Sequence, residues 1–99
     1  MFGVVWATRQ EIQADRKISA RTMDHRLAEF QEEIDKGRYS QYCLEKNIGY
    51  VRIDYIAFMD FMNNRDYLRN PKFRKYVKAF DRQKAIAEMQ MDTQQSIAM

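Results

Sequence analysis

A group of cationic and hydrogen-bonding side chains lies at the start of the second of two predicted helices. It consists of Arg21, Thr22, His25 and Arg26, and Lys17 precedes it in the connecting turn. Arginine can bond guanine O6 and N7, threonine can contact a thymine methyl group or a phosphate, and histidine can donate to either. We interpret these five residues as candidate contacts to double-stranded DNA. The alternative is an ordinary solvated helix face.

A short helix is predicted ahead of this group. Thr8 and Glu11 form the T-x-x-E pattern of a capping box, which satisfies free amides at the start of a helix. The helix is expected to run from Arg9 to about Asp15, with Ile12 pointing inward, and residues 15–17 form the turn. A short helix followed by a second helix with a cationic outer face is what entry into a DNA major groove requires.

The second helix has a clear start and an apolar face. Ser19 is a good N-cap, and Ile18 with Met23 occupies the two positions of a hydrophobic staple. Gly37 is expected to end the helix. The residues that recur at helical spacing, and are therefore predicted to face the core, are Met23, Leu27, Phe30 and Ile34.

The second half of this helix is acidic. Phosphate would be repelled by its carboxylates, so DNA contact is expected only in the first two turns. The same acidic patch could instead bind another protein. Its members are Glu29, Glu32, Glu33 and Asp35.

Residues 38–53 are predicted to form a β-hairpin. The segment Tyr39–Glu45 is rich in β-forming residues, the turn Lys46–Gly49 contains glycine, and Tyr50–Ile53 alternates in polarity. Upstream, Phe2–Trp6 is either a short strand or an apolar lead-in. At or near the hairpin tip, a DNA minor groove or backbone contact and a solvated turn are equally plausible for Lys46, Asn47 and Arg52.

Two further helices are predicted after the hairpin. Asp54 is expected to cap a buried helix over Tyr55–Arg69, and the pair Asn70–Pro71 can start a basic helix. In that basic helix we expect an inward side made of Phe73, Tyr76, Val77 and Phe80. The flanking cations could contact phosphates or form the polar side of a docked helix, and they are Lys72, Arg74, Lys75 and Lys78.

The C-terminal segment is only weakly amphipathic. No convincing core face follows Asp81, so truncation after Phe80 is expected to leave the fold intact. We expect Ile86 and Met89 to bind a second copy of the chain or a recombination or replication protein.

Composition sets the broad class. The 99 residues suffice for one small domain, and the formal net charge is +3, with eight bases against two acids between residues 65 and 84. The single Cys43 cannot form an internal disulfide and is expected to be a packing residue in a cytoplasmic protein. No apolar run is long enough to span a membrane. No catalytic motif, metal-ligand pattern or phosphate-binding glycine loop is present, so we expect neither an enzyme nor a cofactor.

The order of elements and two sequence segments resemble a known group. The segment ISARTMDHRL resembles the start of the reading helix in small phage excisionases and MerR-like regulators. The segment GYVRIDYIAF is similar to the strand and helix that follow their wing. The ending RNPKFRKYVKAFD is similar to the tails of small DNA-binding proteins of phages and mobile elements.

The resemblance implies an α+β, mostly helical fold. Residues 1–69 would form a winged helix-turn-helix domain with a two-stranded wing, and residues 70–99 a basic helical extension and tail. It implies a sequence-selective DNA-binding protein, architectural or regulatory, acting in excision, recombination or transcription control. The alternative function is an adaptor that uses the winged fold to bind a replication or repressor protein.

Overall fold

The computed structural model describes residues 5–88, which form a mostly helical α+β fold with a small antiparallel sheet. A fourth helix, α4, is described over residues 82–88. In chain order the other elements are β1 (Trp6–Thr8), α1 (Arg9–Arg16), α2 (Ala20–Asp35), a 3₁₀ turn (Gln41–Cys43), β2 (Leu44–Asn47), β3 (Tyr50–Asp54), α3 (Tyr55–Leu68) and a second 3₁₀ turn (Arg74–Tyr76).

The predicted starts of α1 and α2 are confirmed. The Thr8 hydroxyl accepts from the Glu11 amide at 3.1 Å, and the Glu11 carboxylate accepts from the Thr8 amide at 2.8 Å, which completes the capping box. The Ser19 hydroxyl accepts from the Thr22 amide at the start of α2. Local side-chain chemistry thus sets where both helices begin.

Strands β2 and β3 form the expected two-stranded hairpin, and β1 adds a third strand to the sheet. Strand β3 lies in the middle and pairs antiparallel with both β1 and β2. Trp6 lies opposite Asp54, and Leu44 lies opposite Ile53. The run before Trp6 falls mostly outside the described residues, and the strand itself begins at Trp6.

The first strand of the hairpin begins later than predicted. Leu44, not Tyr39, is its first residue, because Ser40 caps a 3₁₀ turn that intervenes. The Tyr39 ring instead packs in the core with its centroid 5.1 Å from that of Phe30. Its aromatic character therefore reflects burial rather than strand formation.

The core lies where α2 and α3 face each other. Phe30 is fully buried, and its ring lies 5.2 Å from Phe58 and 5.7 Å from Phe61, between centroids. The expected inward positions of α2 are confirmed, with Met23 and Ile34 buried and Leu27 partly buried against the cluster. Burial of aromatic rings in such a cluster is a major source of stability for a small domain.

Helix α3 starts and ends as predicted. The Asp54 carboxylate accepts from the Ala57 amide, and the last helical residue is Leu68, followed by Arg69 as C-cap. The α3 residues Ile56, Ala57, Phe58, Met59 and Phe61 are buried. This helix is therefore surrounded by protein over most of its first half.

The prediction of a helix beginning at residues 70–71 is wrong. The segment forms turns and one 3₁₀ turn. The Asn70 carbonyl accepts from the Phe73 and Arg74 amides, but the bonds that follow, Tyr76 to Phe73 and Val77 to Arg74, have the three-residue spacing of a 3₁₀ turn. Val77 and Phe80 pack against the core as expected. Phe73 and Tyr76 do not: their side chains are 46% and 71% exposed.

One residue after Asp81 contacts the folded body, while the effect of truncation after Phe80 stays a prediction. The Arg82 guanidinium forms two hydrogen bonds to the carboxylate of Asp54, which is only 2% exposed. Met89 lies outside the described residues, so its expected role in partner binding stays a prediction.

Candidate nucleic-acid interface

The start of α2 presents an exposed cationic surface. Arg21 and His25 are both exposed and lie one helical turn apart. The first turn of α2 contains no acidic residue. The positive end of the helix dipole and the Arg21 guanidinium therefore act in the same direction on an approaching anion.

Arg21 differs from every other arginine of this chain. It makes no ion pair with any residue of the described part, 5–88, whereas each of the others lies within ion-pair distance of a carboxylate. The pairs are Arg9–Asp24, Arg16–Asp15, Arg26–Glu29, Arg38–Asp60, Arg52–Glu45, Arg65–Glu29, Arg69–Glu29, Arg74–Glu33 and Arg82–Asp54. Arg21 is the arginine whose guanidinium has its full hydrogen-bonding capacity open to a ligand.

Lys17 adds a second unpaired cation in the turn between the helices. It is exposed, and its backbone is in the left-handed region with φ of 56°. At such a C-cap position glycine is the residue that costs least, so a lysine here is not explained by local stability. No carboxylate pairs with Lys17 within the described residues.

Two other residues of α2 that were predicted to contact DNA, Thr22 and Arg26, already contact side chains of the protein itself. The Thr22 hydroxyl accepts a hydrogen bond from Ser19, and the Arg26 guanidinium lies 3.5 Å from the Glu29 carboxylate. Both side chains are partly buried. The structure therefore leaves Lys17, Arg21 and His25 as the open groups of this region.

Glu29 is the centre of an internal charge cluster. Its carboxylate accepts two hydrogen bonds from Arg65, at 2.6 and 2.9 Å, and lies 3.4 Å from Arg69. The hydrogen bonds from Arg65 hold the pKa of Glu29 below its ordinary value, against the opposing effect of burial. This cluster ties α2 to α3.

Glu33 is also internal. Its side chain is 4% exposed and accepts two hydrogen bonds from Arg74, at 2.8 and 2.7 Å. Arg74 also donates to the Leu68 carbonyl oxygen. The expectation that the second half of α2 is a solvated acidic patch is therefore wrong for Glu29 and Glu33, and Arg74 serves the fold as an internal partner.

At the hairpin, Lys46 and Asn47 end β2 next to a two-residue turn. Lys46 is exposed and has no ion-pair partner in the described chain, while the Asn47 amide donates to Glu45 at 2.8 Å. Ile48 forms the tip with Gly49 and is fully exposed. Ile48 was not among the residues predicted to contact DNA, although an isoleucine in a turn position is itself an unusual signal.

Arg52 lies in the body of the sheet rather than at the tip. It faces Glu45 and Thr8 on the neighbouring strands. Its guanidinium lies 2.7 Å from the Glu45 carboxylate and 4.6 Å from the centre of the Trp6 ring. The expected position of Arg52 near the tip is therefore wrong, because β3 continues past it to Asp54.

The basic segment after α3 keeps its lysines exposed. Lys72, Lys75 and Lys78 have no carboxylate partner in the described part of the chain, and Lys75 lies 5.3 Å from the centre of the Tyr76 ring. Their predicted contacts with phosphates stay a prediction.

Cys43 is the single cysteine of the chain. Cys43 is buried, as predicted, and burial raises the pKa of its thiol to about 11. Within residues 5–88, no group of three or more His, Cys, Asp or Glu side chains is placed to hold a metal ion. No helix in that range is both long and apolar enough to cross a membrane.

Comparison with models of known protein families, with curated proteins and with solved structures found no match.

Proposed function

We propose that this protein is a winged helix-turn-helix protein that binds double-stranded DNA. Helix α2 is the reading helix, and the β2–β3 hairpin is the wing. The observation that carries the proposal is Arg21, which is exposed on the first turn of α2 and alone among the arginines has no carboxylate partner in the described residues. Reading helices contact base edges with residues near their start.

The groups divide by the kind of contact they can make. Lys17 and Lys46 would bind phosphates and fix the orientation of the domain, because a lysine ammonium is a point charge without base preference. Arg21 and His25 would read base edges in the major groove. Arg26 stays paired with Glu29 and contributes less.

The ion pairs of Glu29 and Glu33 also favour DNA binding over the alternative function, an adaptor that binds another protein. That alternative depended in part on an acidic patch, and two of its four carboxylates are neutralised inside the fold. With Glu29 and Glu33 paired, less negative charge remains near α2 to repel phosphate.

The role would be architectural or regulatory, in excision, recombination or transcription control. A single module of this size buries a small interface on DNA. Useful selectivity therefore requires repeated sites, a second copy or neighbouring proteins.

The test is selection of binding duplexes from a random pool, followed by titration of the best duplex. Arg21→Ala should weaken specific binding by about 1–3 kcal/mol and relax base preference at one position. Arg26→Ala is the matched control on the same helix and should have the smaller effect on binding, since its guanidinium is already paired. If no duplex is enriched, or Arg21→Ala binds as tightly as the parent, α2 is not a reading helix.

A further inference from the structure

The tip of the β2–β3 hairpin carries an isoleucine side chain that the fold does not use. Ile48 is fully exposed, and residues 46–50 around it are exposed as well, so the tip projects beyond the folded body. A single exposed apolar side chain on a protein surface is ordinary. At a turn position, however, glycine, asparagine, aspartate and serine are the usual residues, and a β-branched side chain adds nothing to the turn itself. The stability of the hairpin therefore does not explain Ile48.

The turn ends in a single apolar side chain. Its second residue, Gly49, has φ of 90°, a left-handed conformation that glycine adopts at little cost, and it has no side chain. Ile48 is thus the one side chain of the two-residue turn. A branched aliphatic side chain at the end of a two-stranded ribbon has the shape and chemistry of the wedges that proteins insert between base pairs from the minor groove.

A carboxylate below the turn holds the two strands of the tip together. Glu45 accepts hydrogen bonds from the Asn47 amide at 2.8 Å, from the Arg52 guanidinium at 2.7 Å and from the Tyr50 hydroxyl at 3.4 Å. Asn47 lies on β2, whereas Tyr50 and Arg52 lie on β3. A wedge carried by a hairpin that is already ordered in this way loses little conformational freedom when it is inserted.

The charge around the tip is positive. Lys46 is exposed and has no carboxylate partner in the described residues. Glu45 is the one acidic residue between positions 38 and 53, and it is paired with Arg52, whose hydrogen bond lowers the pKa of this carboxylate. Lys46 therefore leaves a positive charge two residues from Ile48, which attracts a phosphate backbone and would repel the same tip of a second copy.

We propose that Ile48 is a wedge that enters the minor groove and partly unstacks one base step, with Lys46 on an adjacent phosphate. This inference rests on the proposed function and adds to it a residue that reads how easily the DNA is deformed. Deformation costs least at flexible pyrimidine–purine steps such as TA and CA. The protein should therefore select such a step at a fixed distance from the bases that Arg21 contacts.

The test uses the duplex enriched by the full chain, with fluorescent 2-aminopurine in place of each adenine in turn. The emission of this base rises when it is unstacked. Binding of the parent should raise the emission at one step, and Ile48→Ala should lose that rise while it still binds the duplex through α2. Ile48→Met restores a long apolar side chain and should keep the rise.

Val5→Ala is the matched control. Val5 is another exposed β-branched residue, and it precedes Trp6, which pairs with the end of β3 that lies away from the turn. This variant should keep the rise in emission. Thermal melts of Ile48→Ala and Val5→Ala should match the parent, because both side chains are exposed.

The preference for a flexible step gives a second readout. Replacing the pyrimidine–purine step of the duplex by AA should weaken binding of the parent by about tenfold, the size of effect expected for one changed base pair. Ile48→Ala should bind the two duplexes equally, since it has no wedge to insert.

The outcomes separate this inference from the proposed function. A bound duplex whose emission does not rise, or a rise that Ile48→Ala retains, would overturn the wedge and leave the proposed function in place. Absence of duplex binding by the parent would overturn both. Retention of the rise together with altered sedimentation of free Ile48→Ala would assign Ile48 to self-association instead.

Discussion

The two halves of α2 use charge in opposite ways. At its start, Arg21 and His25 are exposed and unpaired within the described chain, and the preceding Lys17 is also open. In its second half, Glu29 and Glu33 are mostly buried and are held by arginines from α3 and the segment after it. The same helix therefore has an exposed cationic end and, in its second half, carboxylates whose ion pairs hold it to α3 and to the segment after α3.

This difference shows that the distribution of charged residues along the sequence does not predict the charge exposed on the protein surface. Arginines form most of the internal pairs, because a planar guanidinium can give a carboxylate two parallel hydrogen bonds. All seven lysines are exposed. Lys36 lies 3.9 Å from the Glu33 carboxylate, and the six without a carboxylate partner in the described residues are Lys17, Lys46, Lys72, Lys75, Lys78 and Lys84. The cations available to a polyanion are therefore these lysines together with Arg21.

The largest expected effect is the loss of stability when the ion pair between Glu33 and Arg74 is broken. Arg74→Ala would leave Glu33 buried with Lys36, at 3.9 Å, as its one charged partner among the described residues. Loss of one partner of a buried pair should lower the free energy of unfolding by about 3–5 kcal/mol. The neighbouring exposed Lys75→Ala is the control and should change it little. Urea unfolding measures both, and equal stability of the two variants would mean that Glu33 is not held as described.

The ion pair between Arg82 and Asp54 tests whether α4 stabilises the rest of the fold. Within residues 5–88, Arg82→Ala would leave the buried Asp54 carboxylate with hydrogen bonds from Cys43 and the Ala57 amide. The unfolding free energy should fall by about 1–3 kcal/mol, the cost of an incompletely satisfied buried group. Lys84→Ala, on the same helix and exposed, should have almost no effect. A parent-like melting curve for Arg82→Ala would support the expectation that α4 is dispensable for folding.

The Glu29 cluster should appear in the acid dependence of stability. The pKa of Glu29 is lowered in the folded protein, chiefly by the hydrogen bonds from Arg65. Its stabilising contribution is therefore complete above the ordinary glutamate pKa of 4.5 and is lost as the pH falls through the lower folded value. Glu29→Gln removes this contribution, so the difference in unfolding free energy between parent and variant should shrink in acid. A difference in unfolding free energy that does not change with pH would contradict the stabilisation of ionised Glu29 by Arg65.

Local signals in the sequence predicted most of the first 69 residues. The caps Thr8, Ser19 and Asp54, and the apolar spacing of α2, act within one or two helical turns and can be identified without tertiary information. The positions of Tyr39 and residues 70–80 could not, because a buried ring against Phe30 and the Arg74–Glu33 pair override local propensity.

The candidate site was predicted only in part for the same reason. The sequence pattern groups Lys17, Arg21, His25 and Arg26, but it does not show that Arg26 pairs with Glu29 while Arg21 has no carboxylate partner in the described residues. Ion pairs between residues about 40 positions apart, such as Glu33 with Arg74, leave no periodic signal.

The most direct test of the central claim is the salt dependence of duplex binding by Lys17→Gly. Glycine relieves the left-handed backbone at this position, so the variant should be as stable as the parent or more stable, by up to about 1 kcal/mol. The plot of log affinity against log salt should nevertheless lose about one unit of slope, since one phosphate contact is removed. The neighbouring Arg16→Gln, whose guanidinium is already paired with Asp15, should keep the parental slope. A Lys17→Gly protein that is fully folded and has the parental slope would contradict the assignment of this surface to DNA.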